Sequence, residues 1–138
     1  ELYIRATTGE YKNQTGEDDA SIVLGITGYK GRVHVHFCPV LTTGFTDTKQ
    51  LAQLVDQHIW RDYRLFPAHY VAWGMWDQRD TSLPVPDIKD IFDSQEILNA
   101  QQHWQKRLDA CPTEHRPYLI MQYAMPVENQ YRNTQLPT

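Results

Sequence analysis

The sequence predicts an α/β fold in which a mainly helical chain contributes one clear strand to a sheet completed by residues outside this chain. The evidence for the strand is strict alternation of apolar and polar residues over 32–37. The evidence for helices is apolar residues that recur three and four positions apart in several longer segments. A single strand cannot pair its own backbone groups, so its partner strands are expected elsewhere.

The alternating segment lies within "GRVHVHFCP", residues 31–39. Successive side chains of a strand point to opposite faces, so one face would be apolar and the other polar. The apolar face would hold Val33, Val35 and Phe37, and the polar face Arg32, His34 and His36. Pro39 cannot donate to a ladder, so it should end the strand or lie at its edge.

The strongest helical predictions are for 47–64, 94–110 and 117–124. Asp47 starts the first, and Asp93 is followed three residues later by Glu96, which is the pattern of a capping box. Pro126 is expected to close the last helix.

Secondary structure is also predicted for three further segments. The opening residues predict the end of a helix, a polar loop and a short helix that the acidic "GEDD" leads. The segment "AHYVAWGMW" is a short apolar helix or strand, and "DQRDTSLPVPD" is a loop. No repeat or linker divides the chain, so residues 1–138 are interpreted as one segment of one domain.

The composition of the chain excludes several classes of function. The chain has 138 residues, of which 41% are hydrophobic and 22% charged, values typical of a globular protein. A net charge of −4 argues against a nucleic-acid partner. The two cysteines form no CxxC pair, and no apolar run is long enough to span a bilayer. The chain begins with Glu1 rather than Met, which suggests that it starts inside a longer protein.

His34, His36 and Cys38 are the candidate metal ligands, because all three are residue types that bind zinc. Neighbours on one face of a strand lie about 7 Å apart, so at most two could reach one ion, and a further ligand would have to come from elsewhere. Packing in a sheet is the favoured interpretation, and no metal site is predicted. A nucleophilic Cys38 with His36 as its base is a weaker alternative, since no third orienting group is evident.

The remaining histidines match no metal or catalytic signature. His58 and Asp62 are one helical turn apart and are predicted to form a local surface pair.

Five blocks of sequence resemble the C-terminal part of bacterial 1-acyl-glycerol-3-phosphate acyltransferase-like proteins, members of the glycerolipid acyltransferase superfamily. They contain 65 of the 138 residues, and the longest stretch outside them is 73–115, which includes the loop at 77–95. The blocks are "ELY" (1–3), "TGEYK" (8–12), "EDDASIVLGITGYKGRVHVHF" (17–37), "LAQLVDQHIWRDYRLFPAHYVA" (51–72) and "RPYLIMQYAMPVEN" (116–129). The family typically has glycine where this chain has Cys38, so the geometry after the predicted strand should differ here.

The resemblance implies transfer of a fatty acyl group to a glycerol-phosphate hydroxyl, as in lysophosphatidate. The donor would be a thioester of acyl carrier protein or coenzyme A, and no cofactor is implied. The family uses a histidine base paired with an aspartate in an HxxxxD motif. None of the six histidines has an aspartate five positions later, so the motif is expected upstream and no catalytic residue is assigned to this chain. The substrate-binding residues remain unknown.

The resemblance also implies partners and a location. The expected partners are the thioester donor, a lysophospholipid acceptor and the rest of the same polypeptide, in a cytoplasmic protein with peripheral contact to the inner membrane. The alternative function is a non-catalytic binding or structural domain that retains the scaffold.

Overall fold

The computed structural model describes residues 1–12, 15–28 and 31–133, and every regular element in these ranges is helical. The helices are α1 (Leu2–Thr8), α2 (Glu17–Thr27), α3 (Thr48–Asp62), α4 (Pro67–Met75), α5 (Ile88–Ile91), α6 (Ser94–Asp109) and α7 (Arg116–Asn133), with a 3₁₀ turn at Thr113–His115 before α7. No helix in the described ranges is both long and apolar enough to cross a membrane.

The predicted α/β fold is therefore wrong, because the described residues contain no strand and no sheet. Residues 32–37 have no regular secondary structure, and their supposed core face is exposed: Val33 by 73%, Val35 by 67% and Phe37 by 89%. The alternation is real, but a strand exists only where a second strand accepts and donates its backbone hydrogen bonds. The described part of this chain supplies none.

The three predicted helices are confirmed, with small shifts at the ends of α3 and α6 and at the start of α7. Asp47 caps α3 by accepting a hydrogen bond from the Gln50 N–H at 2.8 Å. Asp93 caps α6 in the same way, through the Glu96 N–H at 2.8 Å. Both carboxylates satisfy backbone donors that have no partner within the helix. The acidic start of α2 and the loop between α4 and α5 are also as predicted.

Pro126 does not end α7, which continues to Asn133. A proline inside a helix removes one hydrogen bond and strains the preceding turn. Burial of its neighbours offsets that cost, since Ala124 and Val127 are both fully buried.

The described residues divide into two compact units, 1–35 and 36–133. The first contains α1 and α2 and has no buried residue. Four apolar side chains of α2 are more than half exposed, namely Ile22, Val23, Leu24 and Ile26.

The second unit has a hydrophobic core in which α4 contacts both α6 and α7. The short apolar segment is thus a helix, which packs against both of these helices. The core residues of the second unit are Leu65, Tyr70, Ala72, Trp73, Trp104, Leu108, Ala124 and Val127. Trp104, whose side chain is almost wholly buried, donates its indole N–H to the Met75 sulfur at 3.2 Å.

A buried histidine fixes the start of α4. The His69 Nδ1 accepts a hydrogen bond from the Phe66 N–H at 2.8 Å, while the His69 N–H donates to the Phe66 carbonyl at 2.9 Å. Its ring stacks between Phe66 and Tyr123. Burial lowers the pKa of His69, and the accepted hydrogen bond requires a lone pair on Nδ1. The ring is therefore neutral, with its proton on Nε2.

The end of α3 is held by a side chain of α7. The Gln130 Nε2 lies within hydrogen-bond distance of three carbonyl oxygens, those of Trp60 at 3.1 Å, Arg61 at 3.0 Å and Tyr63 at 2.9 Å. Two N–H groups are thus shared among three acceptors, an arrangement common at helix ends. Because the last carbonyls of a helix lack partners within it, Gln130 both caps α3 and joins it to α7.

Candidate functional site

Polar side chains converge at the C-terminal end of α3, and Asp62, the last residue of that helix, lies at their centre. His58, one turn earlier on the same helix, places its Nδ1 3.7 Å from the Asp62 Oδ2. The sequence predicted this local pair, and the structure confirms it. Both side chains are mostly shielded, with about 14% and 17% of their area exposed.

Arg61 forms a two-pronged hydrogen bond with the same carboxylate. Its Nε donates to the Asp62 Oδ1 at 2.8 Å and its Nη2 to the Oδ2 at 2.7 Å. These bonds from Arg61 lower the pKa of Asp62 to about 2, because they stabilise the charged form. The carboxylate is therefore ionised at neutral pH.

Arg61 also contacts the ring of His58. Its Nη2 lies 2.8 Å from the His58 Nδ1. A guanidinium group has only donors, so the imidazole nitrogen must accept. The single lone pair of Nδ1 therefore accepts from Arg61, which bridges His58 and the Asp62 carboxylate.

Two of the three residues singled out by the sequence join this group. The His36 Nε2 lies 3.5 Å from the Asp62 Oδ2. One donor atom each of His36, Cys38 and Asp62 all lie within 4.8 Å of one another. The 7 Å spacing that limited a strand does not apply here, since this segment is not a strand, and Asp62 supplies the further ligand type that the sequence did not identify.

His34 and His58 do not belong to this group of three, and among the described residues no other group of this kind is found. Cys111 is partly buried after α6, where its carbonyl oxygen accepts a hydrogen bond from the Arg116 Nε at 3.1 Å. The structure therefore separates the two cysteines by environment, because Cys38 is exposed.

Sequence reasoning missed the contribution of Asp62 and His58 to this site. The two residues were recognised as a helical pair, but their approach to residues 36 and 38 depends on tertiary structure. A histidine and an aspartate one turn apart are common on helix surfaces. No signal in a single sequence could therefore have joined them to the earlier segment.

A second feature is a cleft of about 290 Å³ between the end of α4 and the start of α7. Its walls are largely apolar and include Met75, Trp76, Tyr118 and Met121, with Asp77 and Gln78 at the loop side. Such a cleft suits an apolar group, but it contains none of the histidines or cysteines discussed above.

Comparison of the chain with family models, with curated proteins and with solved structures finds no match.

Proposed function

We propose that this chain is the C-terminal part of a glycerolipid acyltransferase-like protein. The observation that carries the proposal is the set of five sequence blocks, which include "EDDASIVLGITGYKGRVHVHF" at 17–37. The reaction is transfer of a fatty acyl group from a thioester of acyl carrier protein or coenzyme A to a glycerol-phosphate hydroxyl, such as that of lysophosphatidate.

The chemistry requires a base that this chain does not provide. The hydroxyl loses its proton to a histidine as its oxygen attacks the thioester carbonyl, and the C–S bond then breaks and the thiol leaves with a proton. In the proposed protein this histidine belongs to an HxxxxD motif located outside the chain. The role of residues 1–138 is to complete and support the domain that holds that motif.

Exposed apolar surface in the first unit supports this role. Four apolar side chains within five positions of α2 are more than half exposed, whereas singly scattered apolar residues are usual on a surface. A segment whose packing partners are in the rest of its polypeptide would show this feature. In the proposed protein α2 is covered by that remainder, and the whole is cytoplasmic with peripheral contact to the inner membrane, where its acceptor lies.

A second candidate is a binding or structural domain without catalysis. The observation that favours it is the core of the second unit, in which Trp104 and Val127 are buried by contacts within the chain itself. A unit with its own hydrophobic core can fold without the rest of the polypeptide and can act as a binding or structural domain.

The decisive experiment determines the sequence encoded directly upstream of residues 1–138. The longer protein that contains both is then expressed and assayed. We expect an HxxxxD motif there, and transfer of radiolabelled acyl groups to lysophosphatidate by the longer protein. Replacement of the motif histidine by alanine should lower the rate by about 10²- to 10⁴-fold. Residues 1–138 alone should show no transfer.

The matched control replaces His103 in the longer protein by alanine, because this exposed histidine lies in none of the five blocks. It should retain full activity. An upstream sequence without the motif, or a longer protein that has it and transfers no acyl group from either donor, would contradict the proposal and favour the non-catalytic domain.

A further inference from the structure

We propose that His36, Cys38, His58 and Asp62 form a zinc-binding site at the end of α3. The inference does not rest on the acyltransferase proposal, which assigns no role to these four side chains. It rests on the donor atoms, on their separations and on the cation that already lies among them.

The donor atoms are those that zinc prefers. Two imidazole nitrogens, a thiol sulfur and a carboxylate oxygen make up a four-ligand set of the kind found around tetrahedral zinc. With metal–ligand bonds of about 2.0–2.3 Å, the ligand atoms of a tetrahedron are about 3.3–3.8 Å apart. The Asp62 Oδ2 lies 3.5 Å from the His36 Nε2 and 3.7 Å from the His58 Nδ1. Two edges of the tetrahedron are therefore already near their final length.

Cys38 needs only a small adjustment, whereas His58 must move further, because its Nδ1 does not belong to the group of donor atoms that all lie within 4.8 Å of one another. The Cys38 sulfur lies within 4.8 Å of both the His36 and the Asp62 donor atoms. Its segment has no regular secondary structure and Cys38 is exposed, so rotation about the side-chain bonds can shorten these distances by about 1 Å without moving a helix.

Arg61 occupies the position of a cation in this arrangement. Its Nη2 lies 2.7 Å from the Asp62 Oδ2 and 2.8 Å from the His58 Nδ1, so both acceptors point at one positively charged group. A zinc ion would meet the same two lone pairs at shorter distance. Because the Arg61 side chain is 57% exposed, it can turn into solvent when the metal binds. Zinc and the guanidinium group are thus competitors for one site.

The ligand set also selects the metal. Magnesium and calcium prefer oxygen ligands throughout, whereas thiolate and imidazole favour zinc among the abundant divalent ions. With four protein ligands the site would leave no position open for a substrate, which is the pattern of a structural rather than a catalytic zinc. Its effect would be to join the irregular segment at 36–38 to the end of α3.

The test uses cobalt as a spectroscopic substitute for zinc, titrated into the untagged and reduced chain. We expect saturation at one ion per chain, visible bands of tetrahedral Co²⁺ and a sulfur-to-cobalt charge-transfer band, all removed by one equivalent of Zn²⁺. Cys38→Ser should abolish the charge-transfer band. His36→Ala and Asp62→Asn should each weaken binding by at least about tenfold. All of these side chains lie outside the core, and circular dichroism should show unchanged helix content.

Matched variants separate this site from adventitious binding. His34→Ala and Cys111→Ser remove the same residue types at positions outside the group, and both should bind cobalt like the unmodified chain. Arg61→Ala should bind at least as tightly, because the competing cation is gone. Zinc should also protect Cys38 from alkylation by iodoacetamide. Absence of a one-to-one complex, equal loss in His34→Ala, or alkylation of Cys38 at the same rate with zinc bound would overturn the proposal.

Discussion

The two units of this molecule contain similar apolar side chains but use them differently. In the first, Leu24 on α2 is 69% exposed, whereas in the second Leu108 on α6 is 5% exposed. The difference is not one of helix formation, since both residues lie in regular helices. It arises because α4 contacts α6 and α7 and gives their apolar faces a common core. Apolar content permits a core, but only mutual coverage of helices produces one.

The same substitution in both units tests this comparison most directly. Leu108→Ala should lower the free energy of unfolding by about 2–5 kcal/mol, because it removes buried methyl groups and leaves a cavity. Leu24→Ala should change it by less than about 0.5 kcal/mol, as is usual for exposed positions. Urea unfolding followed by circular dichroism measures both. Equal losses would show that α2 is packed as tightly as α6.

The longer polypeptide of the proposed function sharpens this test. If the rest of the protein covers α2, Leu24→Ala should become destabilising there while the effect of Leu108→Ala stays the same. A Leu24→Ala effect that remains near zero in the longer protein would argue against such coverage.

His69 provides a test of the second unit that depends on pH. Burial holds the pKa of His69 below the ordinary value of 6.5, so the unfolded chain takes up this proton first as the pH falls. Stability from the neutral ring is therefore fully present above about pH 6.5, and it is lost as the pH falls from there through the folded-state pKa. Urea unfolding at pH 8 and pH 5 should show this loss.

Two variants separate the contribution of His69 to this pH dependence from that of other titratable groups. His69→Gln keeps an acceptor for the Phe66 N–H in the manner of a capping box, and it should reduce the loss between the two pH values. His69→Leu leaves that N–H without its acceptor and should cost about 1–3 kcal/mol at pH 8. An undiminished pH dependence in both variants would show that other groups cause it.

The smallest effect expected concerns the helix caps, which also distinguish the units. The Asp93 side chain caps α6, whereas α2 starts at Gly16 without a side-chain cap. Asp93→Ala should therefore cost about 1 kcal/mol. Asp109→Ala, the same change at the other end of α6, should cost less, because an acidic residue is unfavourable near a helix C-terminus. Thermal unfolding of the two variants compares them, and a larger loss for Asp109→Ala would contradict this account.

The helices could be predicted because their signals are local. Asp47 and Asp93 stand at the start of amphipathic patterns, and both carboxylates cap the helices that follow, as was predicted for Asp93. The fold class could not be predicted in this way. A strand needs a second strand as its hydrogen-bonding partner, and the local alternation at 32–37 does not show whether one exists. The extent of α7 was also missed, since burial of Ala124 and Val127 outweighs the local effect of Pro126.

The candidate site was predictable in part for the same reason. His36 and Cys38 were identified from their residue types, and His58 with Asp62 from helical spacing. What joins the two pairs is a contact between an irregular segment and a helix end, which has no periodic signature. The sequence therefore supplied the ligand types, and only the structure shows that they meet.

The bond between Gln130 and the end of α3 has a consequence for recognition at the site beside it. By anchoring the carbonyls of Arg61 and Tyr63, α7 limits the backbone motion of Asp62 before any ion arrives. Less conformational entropy is then lost when a ligand binds, so part of the affinity originates in a residue that never touches the ligand. Gln130, a side chain of α7, thereby preorganises the site at the end of α3, which lies outside the hydrophobic core.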